Sequence, residues 1–425
     1  MQHVPTVKRF AKALSVLMTC ILPACVSTQH EQITVGKREY NVLDFGVVGD
    51  GATDNTAAFQ EALDAVGAAG GGVVKVPTGQ FLIRGHLNVP RDVALQGVWQ
   101  GPNRGPAEKG STLLAIEGQG NPEGPPFISL TTNSMLRGLT IHYPEQIEAN
   151  PPHAYPWTVR GEGDNCTIVD VLMTNPYQAV DFGTKACGRH YINGLYAQAL
   201  YRGIFVDQCF DIGRIQNVHL WPFWKDSPTL HAFVREKGIG FIFGRTDWEY
   251  VNNSFCIFYN VGFLFTEFES GPGNVLLTQS GSDIGPCAVR VERVQDHSGI
   301  SFSNCQMMAT VEVLPSNKGP VKFTACGFWP IKETAEQARL AGGGHVFFEG
   351  CHFSDWDIAN QGAPCIQADC DGLTVTGCDL MATGKNQITL GPNLNAAVIT
   401  ANRLRGGVQI DDQSQGDVQI GLNTK

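Results

Sequence analysis

Charged side chains are scarce in this sequence. Asp, Glu, Lys and Arg make up 16% of its 425 residues, while glycine contributes 49 residues. Globular domains average about 25% charged residues. A chain that is poor in charge and rich in glycine is typical neither of disordered nor of helical proteins, so the composition favours strands and turns.

Positive charge is the scarcer kind. The chain has 30 Lys and Arg against 40 Asp and Glu, which gives a formal net charge of −10. No continuous basic stripe interrupts this balance. The sequence therefore predicts no nucleic-acid partner and no direct binding to an anionic membrane surface.

Long apolar runs are missing as well. The run Ala13–Ala24 is too short to span a bilayer, because a membrane helix needs about 20 apolar residues. It follows Lys8, Arg9 and Lys12, and this order of basic and apolar residues is typical of an export signal over residues 1–25.

The end of this signal resembles a bacterial lipoprotein cleavage site, Leu22-Pro23-Ala24-Cys25, in which the cysteine receives the lipid. An ordinary signal peptide is the alternative. We expect an exported bacterial protein that is periplasmic, anchored to the outer membrane or extracellular. It would touch a membrane only through a lipid on Cys25. Residues 26–39 are predicted to be a linker, and residues 40–425 a single domain.

Zinc-binding spacings and hairpin signals are also lacking. The 13 cysteines form no Cys-x-x-Cys pair and no Cys/His spacing typical of zinc sites. Asn-Gly and Asp-Gly dipeptides are few, which disfavours a propeller or a sandwich built from tight hairpins.

What the chain does have is a repeat. Phe302-Ser303-Asn304-Cys305 recurs as Phe323–Cys326, Phe348–Cys351 and Val375–Cys378, and its last residues lie 21, 25 and 27 positions apart. A period in the low twenties indicates one supersecondary unit stacked on itself. The third residue is usually Gly, Asn, Asp or Ala, and the first three types tolerate the left-handed backbone of a bend. The four cysteines are predicted to be buried, reduced thiols stacked in a ladder. Disulfides are the alternative, because the ~4.8 Å spacing of stacked strands lies within the Cα separation that a disulfide spans.

A second pattern, small-apolar-x-apolar, marks each repeat, as in Ala179–Phe182 and Gly203–Val206. Such alternation predicts a short strand with one buried face. Two or three such strands per turn, coiled and stacked, form a parallel β-helix. In this stack we expect Thr158 to share the exposed row of Asp181, and Arg160 the row of Asp207.

The most recognisable stretch lies near the start of the domain. It reads Asn41–Gly46 and Gly49–Thr56, followed by a helical pattern from Thr56 that stops at Gly70-Gly71-Gly72. Asp54 or Asn55 is the expected helix cap. This stretch, from about Tyr40 to Ile83, resembles the N-terminal signature of the pectin-lyase-like superfamily, in the branch that groups rhamnogalacturonase and epimerase-type pectate lyase-like domains with polygalacturonases. The resemblance implies an all-β fold: a single-stranded right-handed parallel β-helix (solenoid) with an N-terminal capping helix.

The catalytic set of the polygalacturonases is not present. Neither Asn-x-Asp nor Gly-His-Gly occurs in the chain. Asp411-Asp412 lies in the last turn, and Arg214-Ile215-Gln216 has Gln where that set has Lys. We therefore assign none of the family's catalytic residues to this chain.

Two carboxylates are the predicted catalytic pair. Asp181 and Asp207 fall on adjacent turns, offset by two residues, which places their Cα atoms roughly 8 Å apart. Glycoside hydrolysis uses a carboxylate pair as acid and base or nucleophile. Arg160, one turn earlier, would hold an acidic sugar or keep Asp207 ionised. The plainer interpretation is that these are solvated charges on an outer face.

Two long loops, Tyr143–Tyr155 and Trp221–Gly238, are expected on one side of the coil. The resemblance to the pectin-lyase-like superfamily implies that such loops form the walls of a substrate groove. Sugar rings can stack on aromatic faces, and charged side chains can bind uronic acids. The alternative is that the aromatics pack the loop against the coil. The predicted substrate-binding residues are Trp221, Trp224, Lys225, His231, Arg235 and Arg245.

The leading functional prediction is an exported enzyme that cleaves glycosidic bonds of a complex polysaccharide, by hydrolysis or by β-elimination. The alternative is a non-catalytic glycan-binding or structural protein of the cell envelope. No cofactor is predicted, apart from Ca²⁺ if the enzyme is a lyase. The carboxylate pair and the loop aromatics should share one cleft if the protein is an enzyme.

Overall fold

The structure is a computed structural model that describes residues 39–102 and 109–425. The predicted signal sequence with Cys25, and all of the predicted linker except Glu39, lie outside the described residues. Neither helix in the described part of the chain is both long and apolar enough to cross a membrane.

The strands form three parallel columns, each strand hydrogen-bonded to the equivalent strand of the next turn. This is the predicted right-handed parallel β-helix. The first column comprises Leu87–Val89, Ile128–Leu130, Trp157–Gly161, Gln178–Phe182, Arg202–Val206, Ile239–Phe243, Val261–Phe265, Cys287–Val291, Thr310–Val313, Ile388–Leu390 and Ile410–Asp412. The second comprises Glu39–Asn41, Gly72–Lys75, Val93–Gln96, Met135–Arg137, Arg214–Gln216, Glu249–Asn252, Val275–Thr278, Ile300–Ser303, Val321–Thr324, Ala396–Thr400 and Asp417–Gly421.

The third column lies beyond the bends. It comprises Asp50–Asp54, Gly79–Ile83, Ser111–Ala115, Leu139–His142, His219–Leu220, Phe255–Ile257, Gly281–Asp283, Gln306–Met307, Gly327–Phe328, His352–Phe353, Asp379–Leu380 and Arg403–Leu404. Thr167–Met173 and Tyr191–Ala197 run through the second and third columns, and Ala338–Glu349 and Ile366–Thr376 through the first and second. Glu267–Phe268 and Gly271–Pro272 form a small antiparallel pair outside the columns.

The predicted left-handed bends separate the second column from the third. Asn304, Ala325 and Gly350 have φ values of 53°, 53° and 61°. This conformation turns the chain between two short strands, so that side chains on both sides of the bend point inward. Cys305, directly after its bend, is buried accordingly.

Equivalent side chains stack along the interior. The rings of Phe302 and Phe323 are 4.8 Å apart and nearly parallel, and those of Phe323 and Phe348 are 5.2 Å apart. The spacing follows from the ~4.8 Å separation of neighbouring strands. The predicted cysteine ladder is part of the same interior: all 11 cysteines of the described chain are buried free thiols.

The capping helix is present as α1, Thr56–Ala68, preceded by a 3-10 turn at Val42–Phe45. Its buried face consists of Phe59, Ala62, Leu63 and Val66. Asp54 caps it, since its Oδ1 accepts hydrogen bonds from the backbone N–H and the hydroxyl of Thr56 at 3.0 and 2.6 Å. Asn55 makes no capping bond and instead binds the backbone of Val48.

The register corrects one expectation for the first column. Arg160, not Thr158, pairs with Asp181, and Asp181 pairs in turn with Phe205. Thr158 is buried, and its hydroxyl donates a hydrogen bond to the carbonyl of Gln178 at 2.8 Å. The predicted offset of two residues between Asp181 and Asp207 is confirmed by the same register.

Candidate functional site

Asp181 is buried rather than exposed on the outer face. Its Oδ2 accepts a hydrogen bond from Arg160 Nε at 2.6 Å, and its Oδ1 accepts the backbone N–H groups of Gly183 and Thr184 at 3.0 and 2.8 Å. Both oxygens are thus engaged inside the wall of the coil. The Arg160 side chain is itself only 15% exposed, so the pair ties two turns together and offers little to a ligand.

Asp207 is also buried, at 5% exposure. Its Oδ1 accepts a hydrogen bond from the backbone N–H of Arg245 at 2.5 Å. Burial raises the pKa of Asp207 above its usual value, although backbone hydrogen bonds from Arg245 and Gln208 oppose the shift. Asp207 therefore tends toward the protonated state, but little of it reaches the surface.

Arg245 lies on the loop after the first column. Its guanidinium pairs with Asp247 at 2.9 Å and lies 5.9 Å above the ring of Phe210. These three side chains line a cleft of about 500 Å³ together with Asp211, Ile212, Trp248, Gln295 and His297. The predicted catalytic pair and Arg245 thus belong to one edge of the coil.

The two long loops emerge together at another edge, as predicted, because each follows a strand of the third column. They touch each other: Lys225 Nζ lies 3.2 Å from a carboxylate oxygen of Glu148. The second loop contains a helix, α2, over Pro228–Lys237, whose N-terminus is capped by Ser227.

Most of the side chains predicted to bind a ligand from the second loop instead make contacts within the loop or with the coil beneath it. His231 stacks on Phe258, with ring centroids 3.9 Å apart, and lies 3.1 Å from Asp226. The guanidinium of Arg235 donates a hydrogen bond to the carbonyl of Ile284. Trp224 is partly buried against the core, which matches the interpretation that loop aromatics pack against the coil.

Trp221 is different because it lines a groove on the outer face of the third column. Tyr196, His219 and Phe255 occupy equivalent positions in three successive turns and form the adjoining wall. The His219 ring lies 6.3 Å from Tyr196 and 5.3 Å from Phe255. Burial lowers the pKa of His219 below its ordinary value.

Amide side chains border the aromatic wall. Asn253 donates to Asn217 at 2.7 Å, and Asn217 donates to Asn193 at 2.7 Å, so the three amides form a ladder at the bend. The groove continues along the coil as a second cleft of about 780 Å³ that ends near Trp329, which is 45% exposed. Apart from His219, the residues that line the two clefts are uncharged: Tyr196, Asn217, Val218, Trp221, Asn252, Asn253, Ser254, Phe255, Gln279, Ser280, Gly281, Asn304, Gln306 and Trp329.

Asp283 lies on the same outer face, between the two tryptophans. It pairs with Ile257, which is one turn beyond Trp221, and Trp329 lies two turns further along. One oxygen of Asp283 is buried without a hydrogen-bond partner. Burial raises the pKa of Asp283, opposed by the backbone N–H of Ile284. A carboxyl group in this state can donate a proton.

The sequence contained a signal for this groove that the prediction did not use. Tyr196 and His219 each follow directly after a bend motif, Ile192–Leu195 and Ile215–Val218. A residue in this position must point outward, because its neighbours on both sides point inward. Asp283 lies in the same face two residues further, but no motif singled it out.

The predicted residues therefore do not share one cleft. Asp181, Asp207 and Arg160 belong to the first column, and Arg245 to the loop after it. Trp221 belongs to the groove on the third column, where sequence reasoning named no carboxylate. The structure instead places Trp221 beside Tyr196, His219 and Phe255, and Trp329 in the adjoining cleft further along the coil.

Comparison with known proteins confirms the predicted resemblance. Residues 40–140 match the family described as rhamnogalacturonase A/epimerase, pectate lyase-like. A mannuronan C5-epimerase, AlgE3 of Azotobacter vinelandii, is 53% identical over 57 residues, which are 13% of this chain and 3% of the epimerase. The tail spike protein of Shigella phage Sf6 is 25% identical over 181 residues, 40% of this chain and 28% of the tail spike.

Among solved structures, the N-terminal fragment of bacteriophage phi29 gene product 12 has a TM-score of 0.63 at 13% identity. The match covers 91% of this chain and 70% of the fragment, and it supports the β-helix fold alone. The sequence matches span only small parts of the two relatives.

Proposed function

We propose that this chain, a pectin-lyase-like β-helix by its fold and by its match over residues 40–140, binds a polysaccharide along the groove from Trp221 to Trp329. The observation that carries the proposal is the row of half-exposed rings on successive turns, bordered by amides. Aromatic faces stack on the apolar faces of sugar rings, and amides offer both donors and acceptors to sugar hydroxyls.

In the described part of the chain, the lack of charged side chains in the groove lining favours one class of glycan over another. The lining contains no Lys, Arg, Asp or Glu within the described residues. A polyuronate would lose water around its carboxylates without gaining a cationic partner, which is costly. The net charge of −10 repels anionic polymers in addition. The substrate class proposed is therefore a neutral polysaccharide, in contrast to the mannuronan named for the epimerase relative.

Affinity electrophoresis in gels containing galactomannan, xylan, dextran, alginate or polygalacturonate tests the proposal. We expect retardation in at least one neutral gel and none in the two polyuronate gels. Trp221→Ala and Trp329→Ala should each weaken binding about tenfold, the equivalent of about 1.4 kcal/mol.

The matched control is Trp248→Ala, because Trp248 is 57% exposed but lies outside the groove. Equal loss in all three variants, or binding only to polyuronates, would contradict the assignment of the groove.

A second function, cleavage of the bound chain, is favoured by the place of Asp283 midway between the two tryptophans. Asp283 is not part of the lining of either cleft but lies beside them on the same face, so a polysaccharide stacked on both rings would pass next to this carboxyl group. Its raised pKa suits a general acid that protonates the leaving glycosidic oxygen. The same proposal includes export of the protein. It also includes cleavage of the glycosidic bond, either by hydrolysis or by β-elimination.

Reducing-end release from the polysaccharide that binds best tests the second function, with the absorbance of unsaturated products recorded in parallel. We expect Asp283→Asn to lower cleavage about 100-fold or more while binding is unchanged. Asp211→Asn, an exposed carboxylate away from the groove, is the control. Binding without any cleavage by the unmodified protein would leave the glycan-binding function and exclude the enzymatic one.

A further inference from the structure

Three potential metal ligands meet inside the coil, away from the groove. His190, Cys209 and Glu249 are each fully buried, and one ligand atom from each lies within 4.8 Å of the other two. His190 Nε2 and Glu249 Oε1 are 2.8 Å apart. Neither the catalytic proposal nor the glycan groove uses any of them.

The backbone explains how His190 and Glu249 reach each other. Tyr191, Arg214 and Tyr250 are register partners in three successive turns, so the residues that precede them, His190, Gly213 and Glu249, are stacked as well. Gly213 lies between the other two and has no side chain. A Cβ atom there would come within 2.2 Å of Glu249 and 2.4 Å of His190, so only glycine leaves this space open.

The orientation of the imidazole suits a ligand. His190 Nδ1 lies 2.8 Å from the carbonyl oxygen of Cys187, which can only accept a hydrogen bond, so Nδ1 carries the proton. Metal-binding histidines are commonly held in this way, with the other nitrogen free for the metal. The second carboxylate oxygen of Glu249 accepts a hydrogen bond from the Thr246 hydroxyl at 3.2 Å, which fixes that side chain too.

A nucleophilic triad does not fit the same residues. Activation of Cys209 needs an imidazole nitrogen as base, but Cys187 and Glu249 engage both nitrogens of His190. The Cys209 thiol is also buried and donates its hydrogen bond to the carbonyl of Asp211 at 2.9 Å. No substrate reaches it there.

We propose that His190, Cys209 and Glu249 bind a zinc-class divalent cation that clamps three successive turns of the β-helix. A ligand set of one nitrogen, one thiolate and one carboxylate oxygen is chemistry that zinc accepts, and metals that prefer only oxygen ligands do not. The cation would take the place of the proton between Nε2 and Oε1 and displace the proton of the thiol. Both protons leave to solvent, as in other thiolate sites.

A surface cleft lies next to this ligand set along the chain. The cleft near Arg245 is lined by Phe210, Asp211, Asp247 and Trp248, which lie within two residues of Cys209 or Glu249. Asp211 and Asp247 place carboxylates at its mouth, although Arg189 and Arg245 pair with them. A cation that approaches from solvent thus meets oxygen ligands before it reaches the buried set.

The full-length protein, purified without chelator, tests the proposal by elemental analysis and by titration of the metal-stripped protein with Co²⁺. We expect about one equivalent of zinc-class metal per chain, and a thiolate-to-cobalt charge-transfer band that saturates at about one equivalent. A folded protein that contains no metal and shows no such band with Co²⁺ would overturn the proposal, and His190 and Glu249 would then form a buried ion pair only.

Two variants separate the site from general destabilisation. Cys209→Ser should abolish the charge-transfer band and make the melting temperature insensitive to chelator, whereas chelation should lower the melting temperature of the unmodified protein. Cys370→Ser is the matched control, because Cys370 is buried and its thiol also donates to a carbonyl two residues on, at 3.3 Å. A band that persists in Cys209→Ser would contradict the assignment.

Discussion

At the scale of single residues, the buried aspartates in the wall of the coil differ in their hydrogen-bond partners. Asp181 pairs with Arg160 at 2.6 Å inside the wall of the coil. Asp207 is buried to a similar degree but has only backbone hydrogen bonds from Arg245 and Gln208. A carboxylate that is buried without a cation destabilises the folded state when it ionises.

Asp207→Asn is therefore expected to stabilise the protein at neutral pH. The pKa of Asp207 is raised in the folded state, so the folded protein binds the extra proton between its ordinary pKa of 3.8 and the raised value. Stability falls as pH rises through that window and stays lower above it. The asparagine keeps the acceptor for Arg245 N–H and removes the titration. Urea unfolding at several pH values should show a gain over the unmodified protein that grows from about pH 4 upward.

Asp211→Asn is expected to change the stability of the folded protein in the opposite direction. Arg189 hydrogen-bonds to Asp211 and lowers the pKa of this exposed carboxylate, so its contribution is present above the ordinary pKa and is lost as pH falls. This variant should lose a little stability at neutral pH and none at low pH. A pH-independent gain in Asp207→Asn would show that burial of its charge is not the cause.

Sequence reasoning identified which residues of a strand point outward but not which of them stay uncovered. Asp181 does alternate with inward residues, yet neighbouring turns and loops bury it. Burial of an outward side chain depends on loop packing between turns that are more than 20 residues apart, and a local pattern does not contain that information. Trp221 begins a long loop directly after a strand and lines a groove, while its predicted role in substrate binding stays a prediction.

At the scale of elements, the bend is the unit that repeats. It places one residue per turn in the left-handed conformation whatever the residue type: Asn217, Asn304, Gly350, Ala325 and Leu422 all adopt it. Asparagine and glycine tolerate this backbone well, whereas alanine and leucine are strained by about 1–2 kcal/mol. The bends therefore differ in local stability although their geometry is the same.

A reciprocal pair of substitutions isolates this strain. Gly350 and Ala325 are both exposed, with φ of 61° and 53°, and a Cβ added to Gly350 meets no atom within 4 Å. Gly350→Ala should lower the free energy of unfolding by about 1 kcal/mol, and Ala325→Gly should raise it by up to about 1 kcal/mol. Denaturant unfolding measures both. Changes of the same sign in the two variants would rule out backbone conformation as the source.

Elements with a strong local pattern were predictable. The helix α1 begins at Thr56 as expected, and Phe59, Ala62, Leu63 and Val66 form its buried face. The helix α2 was not predicted, although Ser227-Pro228 is a typical helix start, because its ten residues carry few apolar positions and stand inside a charged loop. Short amphipathic helices of this kind depend on the surface they pack against.

At the scale of the whole molecule, repetition made the fold predictable and left the site unpredictable. Each turn repeats the same bend and the same inward positions, so a dozen weak signals add up to one architecture. A groove, in contrast, arises where turns differ: Tyr196, His219 and Phe255 share a row with Gly281, Gln306 and Gly327. Only alignment of the turns in register shows that the large rings end and the amides begin at one place.

The same repetition governs the cysteines. Cys305, Cys326, Cys351 and Cys378 are stacked at the ~4.8 Å spacing of successive strands. That separation permits a disulfide, but stacked side chains point in the same direction, and a disulfide needs Cβ atoms that approach each other. The thiols instead donate hydrogen bonds to carbonyls, such as Cys351 to Phe323 at 3.4 Å and Cys378 to Phe348 at 3.4 Å.

We therefore expect the β-helix to be stable without disulfides even in an oxidising compartment. The melting temperature should be the same with and without a reductant. A thiol reagent should leave the folded protein unmodified, because the thiols are buried and out of its reach. In the ladder, hydrogen bonding with Cys326 lowers the pKa of Cys351, but the Cys378 thiol and burial outweigh it and raise that pKa to about 12. In denaturant, the count of reactive thiols should not increase when reductant is added. An increase would reveal disulfides in the native protein, and rapid modification of the folded chain would show that the coil opens locally. Either result would contradict a ladder of buried, reduced thiols.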